Sequence, residues 1–291
     1  MTNTRKAELE ALCLRFRNEL IDVLHAIQTG HPGGSLSCCE IVTTLYQDIM
    51  NIEPQNPDMK GRDHFVLSKG HAAPMLYINL AEKGYFPKEE MKMLRQLGSR
   101  LQGHPCAHKL PGVEFSTGPL GLGLGAGLGI MLADRLQGHS SYTYVLLGDG
   151  EIEEGAIWEA AMAAAKAGRH VYVLGVGSRA GAEIPTANGP LRDRSGAVVK
   201  TALNETACRE LAAAGNGAYI HIDGSNVAQD QLQAQLRKLQ QTDSGMVSDG
   251  SLNEQFQAVA LLLFLVLLIE LLLFEKQNAF FSRFRLFQRQ A

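Results

Sequence analysis

The sequence predicts an α/β fold: a three-layer parallel sheet with helices on both faces, followed by one C-terminal transmembrane helix. Three observations predict it. Short apolar runs (Phe65-Val66-Leu67, YTYVLL at 142–147, HVYVLGV at 170–176 and 218–222) alternate with segments of helical periodicity, the order that builds a parallel sheet covered on both faces. The acidic turn GDGE, 148–151, directly follows one of those strands, and parallel α/β proteins bind ligands beyond the carboxyl ends of their strands. Ala258 to Phe274 reads AVALLLFLVLLIELLLF, with Glu270 as its only charge.

The elements follow in order. Helical spacing runs over 4–28 and 35–49, with His31-Pro32-Gly33-Gly34 breaking between them. A polar loop with Pro54 and Pro57 leads to the first strand, and helices are expected over 71–83 and 87–97. A long loop, 98–117, holds Pro105 and Pro111. Residues 121–137 read as a helix despite their glycines, and 152–167 as an Ala-rich helix. A Gly/Pro loop, 177–202, is long enough for a hairpin. Helices over 203–214 and 228–240 flank the last strand. Thr242 to Asn253 is a polar linker. The 17 residues of Ala258 to Phe274 span about 25 Å as a helix, near a hydrocarbon core of roughly 30 Å.

Composition bounds the function. The 291 residues are 45% hydrophobic, 20% charged and 7% aromatic, which excludes disordered, collagen-like and coiled-coil classes. A net charge of −3 gives no reason to expect nucleic acid as a partner. Mean hydropathy is −0.06, but that average hides an uneven layout. The tail after residue 274 carries +3, which leaves −6 on the residues before it. The first twenty residues form a charged amphipathic helix without the apolar run of a secretory signal. Five cysteines without CxxC spacing read as free thiols of a reducing compartment.

Three clusters can carry chemistry. In GDGEIEEG, 148–155, Asp149 stands at a strand end beside glycines and a helix start, where a carboxylate holds Mg²⁺ and backbone N–H groups meet phosphate. The same residues also suit a solvated acidic helix cap. The second cluster is three histidines on Gly/Pro loops: His31 in GHPGG, His71 in SKGH and His104 in QGHP. Such histidines donate to phosphate or move protons, though periodicity alone does not bring them together. The third is TGPLGLGLG, 117–125. Its GxGxxA match lacks a preceding strand, so it suits close backbone approach to a flat ligand or to a packed helix.

The segments GHPGGSLSCCEIVTTLY, RDHFVLSKGHAAPMLY, LAEKGYFP, LQGHP, PGVEFSTGPLGLGLG and LLGDGEIEEGAIWEAAMAAA, in that order, resemble the N-terminal, thiamine-diphosphate-binding part of transketolase over residues 10–165. Split transketolases, whose N-terminal half is a separate subunit of about this length, resemble it most. The resemblance implies ketol transfer between sugar phosphates with thiamine diphosphate and Mg²⁺. It implies that His31 and His104 face the thiazolium and the substrate oxygens, and that His71 touches the diphosphate. Gly118 and Leu120 would line the aminopyrimidine, Gly150 would approach the diphosphate, Asp149 would bind Mg²⁺, and Glu154 would lie at a homodimer contact near the cofactor. A separate C-terminal transketolase subunit would be needed for turnover. Two departures stand out: Leu122 replaces the family's Gln, and Gly177-Ser178-Arg179 follows the strand where the family has its second metal ligand, an Asn.

From about 166, KAGRHVYVLGVGSRAGAEIP, DRSGAVVKTALNETACRELAAAGNGAYI and the apolar helix ending in FFSRFRLF resemble the C-terminal part of membrane-anchored von Willebrand factor A domain proteins of the aerotolerance (Bat) type. That family's DxSxS metal loop is missing here. The expected organisation is therefore chimeric. A transketolase-like part, 1–165, is followed by a von Willebrand A-like part completing the sheet, 166–241. A linker, 242–255, a transmembrane helix, 256–274, and a basic tail, 275–291, complete it. The main domain is expected to be cytoplasmic and anchored to the membrane by the C-terminal helix. The other readings are a membrane-anchored von Willebrand A-type interaction module, in which Asp149 is a remnant metal-loop residue, and an inactive hybrid of the two families.

Overall fold

The computed structural model describes residues 2–186, 189–223, 227–243, 261 and 264–267. The chain divides into two compact units, Met1–Gln235 and Leu236–Ala291.

The first unit begins with helix α1, Asn3–Ile27, whose N-cap Thr2 accepts a hydrogen bond from the Arg5 N–H at 3.2 Å. Leu9, Cys13, Phe16, Leu20 and Leu24 form its buried stripe at spacings of three and four. Two short helices follow, α2 (Pro32–Leu36) and α3 (Cys39–Thr44). Strand β1, His64–Leu67, leads through a 3₁₀ turn into α4, Ala73–Lys83. Residues Ala73 to Ala81 of α4 are all buried, so α4 is the central post of the main core. Its C-cap Gly84 adopts φ +102 and returns its N–H to Leu80 and Ala81.

Helix α5, Gly123–Leu136, and strand β2, Thr143–Leu146, complete this half. β1 and β2 pair in parallel, Leu67 opposite Leu146. Helix α6, Gly155–Lys166, packs against α5 on one side and against a later helix on the other. Strand β3 (Val173–Val176) is followed by four two-residue strands: β4 (Ala182–Glu183), β5 (Pro185–Thr186), β6 (Gly189–Pro190) and β7 (Lys200–Thr201). They pair antiparallel as β4 with β7 and β5 with β6, so the 177–202 loop does hold hairpin-like ribbons. Helix α7, Glu205–Ala214, is capped by the Asn204 side chain accepting from Ala207 N–H at 3.1 Å. Strand β8, Tyr219–Ile222, pairs in parallel with β3, and α8 spans Val227–Asp243.

Several expectations are corrected. The one continuous sheet is two parallel pairs, β1–β2 and β3–β8, and among the described residues no ladder joins β2 to β3. The run expected as a strand from 170 pairs only from Val173, because Val171 N–H is bonded to Gly215 O at 2.9 Å and Gly217 presses on its carbonyl. The helix expected over 35–49 starts earlier, since Pro32 suits the first helical position, and it is broken at Cys38. Beyond α3 it widens into a π-helical turn, Leu45–Ile49. The helix expected over 87–97 is a 3₁₀ helix, Lys88–Met93, ended by Arg95 at φ +62, whose N–H turns away to Leu101 O at 2.9 Å.

Among the described residues, no helix is long and apolar enough to cross a membrane. The expected transmembrane helix, 256–274, lies outside the described residues except for Leu261 and Phe264 to Leu267, which are helical and exposed. The linker and the basic tail also lie outside them, apart from residues 242 and 243 at the end of α8.

Two hydrophobic clusters hold the first unit. The larger joins α1, α3, α4, β1 and the loops to Val113. The smaller is Ile157, Ala161 and Leu211, backed by Leu124, Leu147, Trp158 and Val173.

Candidate functional site

The site begins where the parallel pair ends. Because Leu67 stands opposite Leu146, the Ser68-Lys69-Gly70-His71 turn and the Gly148-Asp149-Gly150 turn leave the sheet side by side. Ser68 N–H still reaches Leu146 O at 3.0 Å, so the first turn is fixed to the end of the second strand.

Glu151 joins these turns to a third loop. It is 2% exposed. Its Oε1 accepts from Gly121 N–H at 2.8 Å and from the Ser68 hydroxyl, and its Oε2 accepts from Gly148 N–H at 3.0 Å. Ser68 Oγ in turn accepts from Gly123 N–H at 3.1 Å. Gly123 permits this approach, since a Cβ there would lie 2.3 Å from Ser68 Oγ. Lys69 is also buried, and its Nζ donates to Ser37 Oγ at 2.9 Å, tying the first turn to the segment after α2.

The three predicted histidines converge. The His31 and His71 rings lie 5.5 Å apart, edge to face. His71 also packs against Gly34, where a Cβ would come 2.6 Å from its Cδ2. His104 stands over Gly118, with Cγ 3.6 Å from the position a Gly118 Cβ would take. The His104 loop is held from below by Tyr77, whose Oη lies 2.9 Å from Gln102 O and 3.2 Å from His104 O. Arg95 supports two of the histidine loops: its guanidinium donates to Thr29 Oγ1 at 2.9 Å and lies against Gly103.

Burial and neighbouring cations lower the pKa of two of these rings. Burial holds the His71 imidazole below its ordinary pKa, assisted by the Lys69 cation and by His31 and His104, with Glu151 opposing. His104 is lowered by burial, then by Arg95 and His31. A neutral imidazole both donates and accepts, which suits oxygen-rich ligands.

The other predicted residues fall around the same opening. Leu120 is 45% exposed. Asp149 and Gly150 are exposed, and nothing lies within 4 Å of where a Gly150 Cβ would be, so a ligand can approach its backbone. Glu154 is exposed and packs over Gly121, which adopts φ +85. Among the described residues, no group of three or more His, Cys, Asp or Glu can hold a metal. Asp149 still offers a carboxylate at the strand end, and Mg²⁺ is often held by one or two carboxylates together with ligand phosphates. After β3, Arg179 Nε pairs with Glu205 at 3.0 Å, and no carboxamide stands there.

Sequence reasoning does not single out Glu151, Ser68, Lys69, Tyr77 or Arg95. Position in the GDGEIEEG motif does not separate Glu151 from Glu153 or Glu154; only burial does. Ser68 and Lys69 do carry a signal, as polar residues directly after a buried strand.

A second polar cluster lies at the opposite end of β1. Arg62 and Glu114 pair in a two-pronged contact, His64 Nδ1 is 3.0 Å from Glu114 Oε2, and His64 Nε2 is 3.0 Å from Asp134 Oδ2. These groups satisfy one another.

The family model for the transketolase thiamine diphosphate binding domain matches residues 10–173, more than half of the chain. The chain is 44% identical over 155 residues to an apulose-4-phosphate transketolase subunit of Phocaeicola vulgatus, covering 53% of this chain and 55% of that protein. It is 43% identical to the 6-deoxy-6-sulfo-D-fructose transketolase subunit of a Clostridium species, covering 50% and 53%. The chain spans about half the length of the curated relatives it matches. Among solved structures, transketolase from Campylobacter jejuni aligns with 70% of this chain and 32% of its own at TM-score 0.55 and 28% identity. BatB from Bacteroides thetaiotaomicron aligns with 40% of this chain and 59% of its own at 38% identity, with TM-score 0.32.

Proposed function

Because this chain belongs to the transketolase family of thiamine-diphosphate-binding domains, we propose that it is the cofactor-holding half of a split transketolase, acting on sugar phosphates with a separate C-terminal subunit. The observation that carries the proposal is the convergence of the His31, His71 and His104 loops on the paired ends of β1 and β2.

Bound there, thiamine diphosphate would supply a carbon nucleophile and an electron sink for ketol transfer. The chain's own residues bind, orient and exclude. His71 and the Gly150 backbone would hold the diphosphate, and Asp149 would supply a carboxylate to Mg²⁺. Gly118 and Leu120 would line the aminopyrimidine, with His104 packed against Gly118. His31 and His104 would face the thiazolium and the substrate oxygens, where imidazole nitrogens can donate and accept hydrogen bonds. Glu154, exposed over Gly121, forms the homodimer contact beside the cofactor. Calorimetric titration of the full chain with thiamine diphosphate and Mg²⁺ tests this. Saturable binding is expected, and no heat at millimolar ligand would overturn it.

A second reading has its own support. The family match ends at residue 173, inside β3, and no Asn follows that strand. On this reading the segment from about 166 comes from a membrane-anchored von Willebrand A-type protein, and the chain is an inactive hybrid or an interaction module. The same titration separates the two. Membrane anchoring through 256–274 rests on the sequence. Carbonate washing of membranes tests it: retention is expected, and release would remove the anchor.

A further inference from the structure

We propose that Glu151 is a positioning residue that sets the width of the cofactor cleft, acting as an obligate acceptor between the two walls. The inference rests on the transketolase-like reading of the site. The Gly148-Asp149-Gly150 turn forms one wall, facing the diphosphate and metal. The loop from Gly118 to Gly121 forms the other, facing the aminopyrimidine. Among their described bonds, the two walls meet at Glu151: Oε2 takes Gly148 N–H at 3.0 Å and Oε1 takes Gly121 N–H at 2.8 Å. The third contact, from the Ser68 hydroxyl, fixes the carboxylate to the end of β1, and Ser68 accepts Gly123 N–H at 3.1 Å. Every group that reaches the carboxylate is a donor. An ionised carboxylate accepts at both oxygens, whereas an amide has one acceptor and one donor end.

Glu151 is 2% exposed, so water does not replace a lost partner. Its charge brings no gain for an anionic ligand. A negative group beside a diphosphate is adverse by itself, and geometry is what it contributes. Gly121 and Gly123 complete the arrangement. Side chains at either would meet Glu154 at 2.9 Å or Ser68 at 2.3 Å, so both backbone N–H groups come close only because these residues are glycine.

The test is Glu151→Gln in the full chain. The variant keeps shape and volume but turns an N–H donor toward another N–H on one wall. Amide hydrogen exchange of the cofactor-free protein should quicken by about tenfold or more at Gly121, Gly123 and Gly148. The β1–β2 ladder amides should keep their rates. A merely structural role would speed the ladder as well, or move nothing. Thiamine diphosphate affinity in the presence of Mg²⁺ should fall by about tenfold or more. Ser68→Ala, which removes the acceptor of Gly123 N–H and one donor to the carboxylate, should quicken exchange strongly at Gly123 and less at Gly121 and Gly148. It supplies the exchange test if the first variant does not fold. Unchanged exchange at Gly121 and Gly148 in Glu151→Gln, or wild-type affinity, would overturn the proposal. Failure of the wild-type chain to bind the cofactor would instead overturn the functional reading, and the exchange result would still stand on its own.

Discussion

Glu114 is mostly buried, and burial alone would push its carboxyl upward; the hydrogen bonds from His64 and Arg62 outweigh that and hold it below the usual carboxylate range. Asp134 is lowered in the same way by Ser141 and His64 against a burial penalty. A carboxyl depressed in the folded state stabilises the fold above its ordinary pKa, and that stability is lost as pH falls through the folded value. Urea melts should therefore show steep weakening below about pH 4. Glu114→Gln should flatten that slope and cost about 1–3 kcal/mol at neutral pH, because the half-buried Arg62 loses its carboxylate. At the other end of β1, the depressed His71 pKa predicts neutral imidazole at pH 7.5. Sulfate, an anion that does not titrate near neutral pH, should bind more tightly as pH falls through that pKa and the ring gains its charge. Calorimetry from pH 7.5 downward checks the direction, and His71→Gln should weaken the trend.

Helix α5 shows why five glycines can sit in or near one helix. Gly123 and Gly127 face the sheet: a Cβ at Gly127 would lie 2.5 Å from Val145 Cγ2 on β2. Gly129 on the same helix meets nothing within 4 Å. Gly127→Ala should thus destabilise by about 1–3 kcal/mol through overpacking, while Gly129→Ala should stabilise by about 0.5–1 kcal/mol by lowering unfolded-state entropy. Thermal melts of the pair distinguish close packing from mere tolerance of glycine. The same helix marks how far the sequence is legible. Its limits, 121–137, are readable to within two residues because apolar spacing survives the glycines, and α1 and α4 are readable for the same reason. The helix expected over 35–49 is not, since its interruption depends on His71 and Lys69 meeting Gly34 and Ser37 from another loop. The histidine loops can be named from sequence, but their meeting point depends on β1–β2 register. Glu151 needs burial to be seen at all.

Across the first unit, the larger core ends at the histidine loops, and the smaller cluster holds α6 and α7 beside the strand that follows. The elements that carry the candidate site therefore draw on two separate pieces of hydrophobic support, and the β3–β8 pair is not stitched to β1–β2 by a ladder among the described residues. On the proposed split-transketolase reading, the chain should gain order when a C-terminal transketolase subunit is added. Thiamine diphosphate should then bind more tightly and sugar-phosphate turnover should appear only in the mixture. Turnover by the chain alone would contradict this. The smaller cluster also contains the molecule's sole tryptophan, Trp158, whose Nε1 donates to Ile152 O at 2.8 Å. That bond ties the indole to the 150–153 turn beside Asp149. The protein consequently carries a built-in optical gauge: emission excited at the indole band should report the state of the 150–153 turn without a label, and one stopped-flow trace can time any settling of that turn around an added diphosphate.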